Sequence, residues 1–248
     1  MAQRSNVSSV NQTLPKITIV TVTYNAEAYL EQTIQSVLGQ NYPNLEYIII
    51  DGASTDGTVD IIKKYEKQID YWVSEPDDGI YYAMNKGIDV ATGEWINFMN
   101  AGDSFCDKNI LLEIFNNLEK SVEIIYGDTQ FIYPQEPEKN FTLKAQSLRK
   151  ALDIAPSGHQ SFFLKTSLMK KYKFDTFLEL GSDRNLMIKL SKEKYEYKIL
   201  PFTVSKYLQN DEGSCRKNRI KTYIEMLSMI SKYSKNKYDI YKLSLIHI

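Results

Sequence analysis

The sequence predicts an α/β protein: a Rossmann-like, mainly parallel sheet flanked by helices and extended by a half of mixed sheet. Three observations carry that expectation. The run Ile17-Thr18-Ile19-Val20-Thr21-Val22-Thr23 is β-branched throughout, the pattern of a strand covered on both faces. Apolar strand-like runs then alternate with segments of helical period up to about residue 100, joined by short polar loops. Beyond about residue 120 that rhythm gives way to short strands with a single helix among them. At 248 residues, 43% hydrophobic and 25% charged, the chain is long enough for one large domain with a proper core.

The elements follow in order. After the first strand, Asn25 is expected to cap a helix bearing Leu30, Ile34, Val37 and Leu38, with Gly39 as its C-cap. The turn Asn41-Tyr42-Pro43-Asn44 closes that unit, and Tyr47-Ile48-Ile49-Ile50 is the second strand. A helix with Val59, Ile62, Tyr65 and Ile69 on one face leads to a third strand, Tyr71-Trp72-Val73. A helix over about Tyr81 to Val90 precedes the fourth strand, Trp95 to Met99, and a helix carries Ile110, Leu111, Ile114 and Phe115. In the second half, Ile124–Tyr126 and Gln130–Tyr133 read as short strands before a charged loop from Pro134 to Asn140. Ser161–Leu164 and Tyr197–Leu200 bracket a helix near Asn185 to Ser191. From Arg219, the residues Ile220, Tyr223, Ile224, Leu227 and Ile230 recur at helical spacing among lysines, as an amphipathic basic helix. Packing against its own core and lying on an anionic membrane face are both open to such a helix.

Composition excludes several functions. A formal net charge of −1 provides no global field for nucleic acid, although nine of the thirty Lys and Arg and only four of the thirty-one acids fall in residues 206–242. Cys106 and Cys215 are too few for a disulfide framework or a thiolate metal site, and two histidines exclude a three-histidine zinc site. Any metal would therefore take oxygen ligands, as magnesium, manganese or calcium does. The polar start from Met1 to Leu14 lacks the apolar core of a secretory signal, and no stretch approaches the ~20 apolar residues of a membrane span. A reducing, cytoplasmic compartment is the expectation.

In an open parallel sheet, ligands bind beyond the carboxyl ends of the strands. Four polar loops fall there: Thr23-Tyr24-Asn25, Asp51 to Thr58, Glu75 to Gly79, and Asn100-Ala101-Gly102-Asp103. Each alone is an ordinary strand-to-helix turn, but four polar loops, three of them acidic, converging on one edge suit a diphosphate that arrives with a divalent cation. The first turn lacks the G-x-G-x-x-G dinucleotide fingerprint, and no P-loop occurs in the chain.

The order T-V-T-Y-N, I-I-I-D-G-A-S-T-D-G-T, D-D-G-I-Y-Y-A-M-N-K-G-I and G-E-W-I-N-F-M-N-A-G-D resembles the inverting family-two glycosyltransferases of the A-type fold, over roughly Lys16 to Asn210. Within that family the chain is similar to bacterial enzymes that build capsule, exopolysaccharide or lipopolysaccharide. The polar stretch 1–15 is expected to be a loosely attached leader, and the resemblance implies a glycosyltransferase domain at 16–210. That domain divides into a nucleotide-sugar-binding half (16–104) and an acceptor half (105–210), followed by a basic helical tail at 211–248. It implies a nucleotide-diphosphate sugar donor, a UDP-sugar by preference, and a glycan or lipid-linked oligosaccharide acceptor.

Roles carry over position by position. Thr23, Tyr24 and Asn25 would border the nucleobase and Asp51 would accept from its imide nitrogen. Asp78, Asn85 and Lys86 would approach the ribose and diphosphate, with exposed helical positions as the plain alternative for the last two. Asn100, Ala101 and Gly102 would line the donor, and Asp103 would hold Mn2+ or Mg2+ against the diphosphate, although relatives carry two or three acids in this turn. Asp183, in Gly181-Ser182-Asp183-Arg184, would be the catalytic base. His159 and Gln160 would face acceptor or diphosphate, a buried structural histidine being equally open, and Arg216 would close over the diphosphate. The alternative from another class is a nucleotide-binding subunit of a glycan-assembly complex that turns nothing over.

Overall fold

A computed structural model describes residues 14–209 and 218–234. Its nine strands form one sheet in the order β3-β2-β1-β4-β8-β6-β9-β5, with β7 pairing beside β8 on the same edge of β6. The first half is β1 (Ile17–Thr23), α1 (Leu30–Leu38), β2 (Leu45–Asp51), α2 (Thr58–Tyr65), β3 (Tyr71–Ser74), α3 (Ile80–Val90) and β4 (Trp95–Phe98). The second is β5 (Ser104–Phe105), α4 (Ile110–Phe115), β6 (Ile124–Ile132), β7 (Phe141–Leu143), β8 (Phe162–Lys165), α5 (Thr166–Tyr172), α6 (Ser182–Ser191), β9 (Tyr197–Leu208) and α7 (Arg219–Tyr233). β3, β2, β1 and β4 run parallel, β8 joins β4 antiparallel, and the sheet is mixed from there on. The fold is therefore α/β of the expected kind, a parallel half continued by a mixed one.

The continuous apolar character of β1 and β2 follows from burial on both sides. Ile17 and Ile19 of β1, with Tyr47 and Ile49 of β2, pack into a core with Leu30, Ile34, Ile62, Ile110 and Phe115. Val20 and Val22, with Ile48 and Ile50, face the other way into a core with Met84, Ile88, Met169, Leu186 and Met187. Consecutive strand residues point to opposite faces, so a run with both sets apolar is the signature of a central strand. Helix α3 lies close against β1: a Cβ at Gly87 would sit 2.5 Å from Cγ1 of Val20, so only glycine fits there.

Several elements differ from the sequence expectation. Asn25 does not cap α1; the helix begins at Leu30, and Asn25 is a left-handed turn residue (φ 46°) whose Oδ1 accepts the Thr55 N–H at 2.8 Å. Ile124 to Ile132 is one strand interrupted by an irregular register around Gly127 rather than two short ones, and β9 runs eight residues past Leu200. β5 and β7 carried no legible period because they span only two and three residues, and the seven-residue α5 was not expected. Helix α6 begins at Ser182, which places Asp183 in its first turn. α7 buries Glu225, Met229 and Ile230 against the body, while Ile220 and Ile224 stay exposed at 79% and 59%. Part of the expected basic tail, including Arg216, lies outside the described residues.

Candidate active site

Two groups of polar side chains stand past the carboxyl ends of the parallel strands. The first is centred on Asp51. Thr23 and Asp51 are register partners at the last positions of β1 and β2, and Ser74 partners Asp51 on β3. Asp51 is fully buried: Oδ1 accepts the Ser54 hydroxyl at 2.5 Å, and Oδ2 accepts the Ser54 N–H at 2.9 Å and the Ser74 hydroxyl at 2.6 Å. Ser54 Oγ in turn accepts the Asn25 N–H at 2.8 Å, which laces the first two loops together. The Thr23 hydroxyl is buried with no hydrogen-bond partner among the described residues. Tyr24 is 65% exposed, and its ring lies over Gly52, where an added Cβ would meet Tyr24 Cδ2 at 3.4 Å and Asp77 Oδ2 at 3.1 Å. An exposed aromatic face beside a buried carboxylate is an arrangement that receives a planar base.

Asp77, not Asp78, therefore turns toward this group. The sequence offered the Asp77-Asp78-Gly79 run but not which acid turns in; Asp77 Oδ1 accepts the Gly79 N–H at 2.9 Å, and that local turn decides it. Asp78 is exposed on the rim of a hollow of about 220 Å³ shared with Tyr81, Tyr82, Glu179 and Leu180. Asn85 and Lys86 are not brought to either group. Both amide atoms of Asn85 are taken by the Phe174 backbone, at 3.0 and 2.9 Å, and Lys86 pairs with Glu75 at 2.9 Å across its own β3–α3 connection.

The second group is built on the Asn100–Asp103 turn after β4. The Ala101 N–H donates to Val22 O at 3.3 Å, setting the turn beside the end of β1, and the Asp103 N–H closes it on Asn100 O at 2.9 Å. Gly102 takes φ 101°, a conformation that a side chain would strain. Thr33 of α1 fixes this turn from below, its hydroxyl accepting the Gly102 N–H (2.9 Å) and donating to Asp103 O (2.8 Å). Asp103 is 3% exposed; its Oδ2 accepts Gln160 Nε2 at 2.9 Å and its Oδ1 the Leu208 N–H at 3.3 Å. Asn100 Nδ2 meets His159 Nε2 at 3.2 Å, and His159 Nδ1 lies 3.5 Å from Asp183 Oδ2. The Tyr81 hydroxyl donates to Asp183 Oδ1 at 3.1 Å. Asn100, Asp103, His159, Gln160 and Asp183 thus form one connected cluster, joined by Tyr81, which reads in sequence as an ordinary core aromatic.

Environment sets the charges. Burial pushes the Asp103 carboxyl up to about 7, against the nearby His159 and the hydrogen bonds from Gln160 and Leu208. Burial against Phe98, Phe162, Leu164, Leu186 and Met187 also works against charge on His159 and Asp183. Their mutual contact prevails: Asp183 is held below the usual carboxylate range and His159 is raised.

The donor set bears on a metal. Among the described residues no three His, Cys, Asp or Glu side chains are arranged to hold a metal ion between them. The available oxygens are the Asp103 carboxylate and Asn100 Oδ1, which is buried without a hydrogen-bond partner among the described residues. Hard oxygen donors fit Mg2+ or Mn2+, and so few protein ligands leave positions for phosphate oxygens and water.

Residues 18–182 match the family described as Glycosyl transferase family 2. The chain belongs to this family. It is similar to TuaG of Bacillus subtilis (strain 168), a glycosyltransferase named for teichuronic acid biosynthesis, with 36% identity over 110 residues. That match covers 43% of this chain and 44% of TuaG, less than half the length of the relative. Two solved structures share the fold. S. aureus TarS 1-349 in complex with UDP-GlcNAc superposes with a TM-score of 0.67 at 20% identity, over 88% of this chain and 66% of that one. The mannosyltransferase PcManGT from Pyrobaculum calidifontis, in complex with GDP-Man and Mn2+, gives a TM-score of 0.70 at 19% identity, over 92% of this chain and 67% of that one. The family-two chain described here thus has the A-type glycosyltransferase fold. Among its described residues no helix is long and apolar enough to cross a membrane.

Proposed function

We propose that this family-two glycosyltransferase moves a sugar from a nucleotide-diphosphate donor, a UDP-sugar by preference, to a hydroxyl of a glycan or lipid-linked acceptor with inversion, in cell-surface polysaccharide synthesis. The observation that carries the reading is the contact chain from Asn100 through His159 to Asp183, with Asp103 of the same turn held by Gln160, the residue after His159. Residues 16–104 are the donor half in this reading and 105–210 the acceptor half. TarS bound to UDP-GlcNAc and PcManGT bound to GDP-Man and Mn2+ support the donor class and the metal.

In the proposed mechanism, Asp51, Ser54 and Thr23 receive the base and Tyr24 covers it. Asp103 and the Asn100 amide oxygen would hold a divalent ion, which when bound neutralises charge gathering on the leaving diphosphate. Asp183 is the base. Its Oδ atoms take the proton from the acceptor hydroxyl as that oxygen attacks the anomeric carbon opposite the diphosphate. His159 keeps Asp183 ionised, and Tyr81 fixes its orientation. The buried apolar wall behind the pair excludes water. The exposed Ile220 and Ile224 support a peripheral contact of α7 with the inner, anionic face of a cell membrane, the location proposed here being cytoplasmic.

A thermal-shift screen of nucleotide sugars with and without Mn2+ identifies the donor, and Asp183→Asn tests the base. Transfer should fall at least 1000-fold with UDP affinity within twofold. Transfer at the wild-type rate by that variant removes Asp183 as the base. UDP binding without sugar release under any acceptor or metal favours a non-catalytic subunit instead.

A further inference from the structure

Glu225 stands on α7, beyond the family-matched residues, and nothing above gives it a part in the reaction. It is 8% exposed, and its carboxylate is spent on backbone. Oε1 accepts the Glu179 N–H at 2.9 Å, and Oε2 accepts the N–H groups of Leu180 and Gly181, both at 3.0 Å. Three consecutive amides on one carboxylate form a charge-assisted cradle, and the last belongs to Gly181, the N-cap of α6. Asp183 follows two residues after Gly181, while Glu179 and Leu180 form a wall of the hollow that Tyr81 shares. Met229 of α7 packs against the same turn, its Cε 2.9 Å from where a Cβ on Gly181 would stand.

We propose that Glu225 is a positioning residue, holding the 179–181 turn so that Asp183 and the neighbouring wall face the acceptor, which makes α7 part of the transfer apparatus. The proposal rests on the reading of Asp183 as the base. Glutamate is suited to the task because both its oxygens only accept. Glutamine presents an N–H group to one of the three amides, and alanine releases all three. The exposed ion pair between Lys221 and Glu179 ties the same helix to the same turn and serves as the control.

The full-length chain is compared with Glu225→Ala, Glu225→Gln and Lys221→Ala. UDP itself is the binding probe and the imidazole NMR signals at pH 7 are the local probe. Only His159 and His247 contribute such signals, and His247→Gln assigns them. Glu225→Ala should move the His159 signals, which report Asp183, and leave the UDP dissociation constant within twofold. On the donor from the thermal-shift screen it should lower kcat at least tenfold and raise the acceptor KM. Glu225→Gln, which keeps the packing, should fall between it and wild type, and it carries the test should the alanine variant not fold. Lys221→Ala should match wild type. Unmoved His159 signals with unchanged kcat and acceptor KM in Glu225→Gln and in any folded Glu225→Ala overturn the proposal, as does an equal loss in Lys221→Ala. A fully active Asp183→Asn would instead remove the underlying base assignment.

Discussion

His159 Nδ1 lies 3.5 Å from Asp183 Oδ2 in a pocket backed by phenylalanine, leucine and methionine side chains. Burial opposes a charge on either group, yet the contact holds Asp183 low and His159 high, so each favours the ionised form of the other. A carboxylate that must be ionised to accept a proton loses activity as pH falls through its pKa.

Replacing His159 by alanine removes the cation and leaves burial to push Asp183 upward. The acid limb of the kcat profile should move to higher pH, and kcat at pH 7 should drop on the order of 10- to 100-fold. An acid limb at the wild-type position in this variant would show that His159 does not tune the base.

Metal binding should require both nucleotide and ionised Asp103. Because burial raises that carboxyl to about 7, a proton competes with the ion across the neutral range. Mn2+ affinity in the presence of UDP should therefore weaken by roughly tenfold for each pH unit below 7, and Mn2+ alone should bind poorly, with so few protein ligands at hand. Calorimetry with and without UDP at pH 6, 7 and 8 reads both effects. Tight, pH-independent Mn2+ binding to the bare protein would contradict them.

The parallel half of this fold was open to reading because its strands are buried on both faces and its helices keep one apolar stripe, as Ile34 and Ile62 show. The mixed half was less open. A two-residue strand such as Ser104–Phe105 has no period to detect, and β6 bends at Gly127, which looks in sequence like an end. In the site, strand ends pointed to the loops that hold Asp51 and Asp103. The seizure of Asn85 by Phe174 and the reach of Glu225 back to Gly181 depend on contacts between distant segments, which no local pattern encodes.

Asp51 already accepts three hydrogen bonds, from Ser54 and Ser74, so its environment is preorganised before a base arrives. Asp51→Asn keeps the shape but gives up one acceptor. UDP affinity should fall about tenfold, near 1.4 kcal/mol, the scale of one lost polar contact. Ser74→Ala, which frees one lone pair of Asp51, should cost less. Calorimetric titration of UDP checks the order, and equal affinity in Asp51→Asn and wild type would remove Asp51 from the base pocket.

Glu46 should govern acid stability from the opposite end of the sheet. It is 6% exposed near the start of β2. Oε1 receives Lys16 Nζ at 2.7 Å as well as the Thr92 hydroxyl, and Oε2 receives the Thr18 hydroxyl at 2.5 Å and the Thr92 N–H at 2.8 Å. Burial alone would raise its pKa, but these bonds bring it down to about 2 from 4.5. A carboxyl whose folded pKa lies below its unfolded one stabilises the fold above the unfolded value. Its contribution is fully present above about pH 4.5 and drains away as pH falls toward 2, and at neutral pH it amounts to roughly 3 kcal/mol. Glu46→Gln keeps the volume and presents an N–H group to this ring of donors. Melting temperature at pH 7 should drop by roughly 5–10 °C, at about 2–4 °C per kcal/mol for a chain of this size. The wild type should lose stability between pH 4.5 and 2 more steeply than the variant, whose position 46 cannot titrate. UDP affinity at pH 7 should hold, since the donor loops lie at the other ends of these strands. Parallel acid limbs in the two melting series would show that another carboxylate controls acid unfolding.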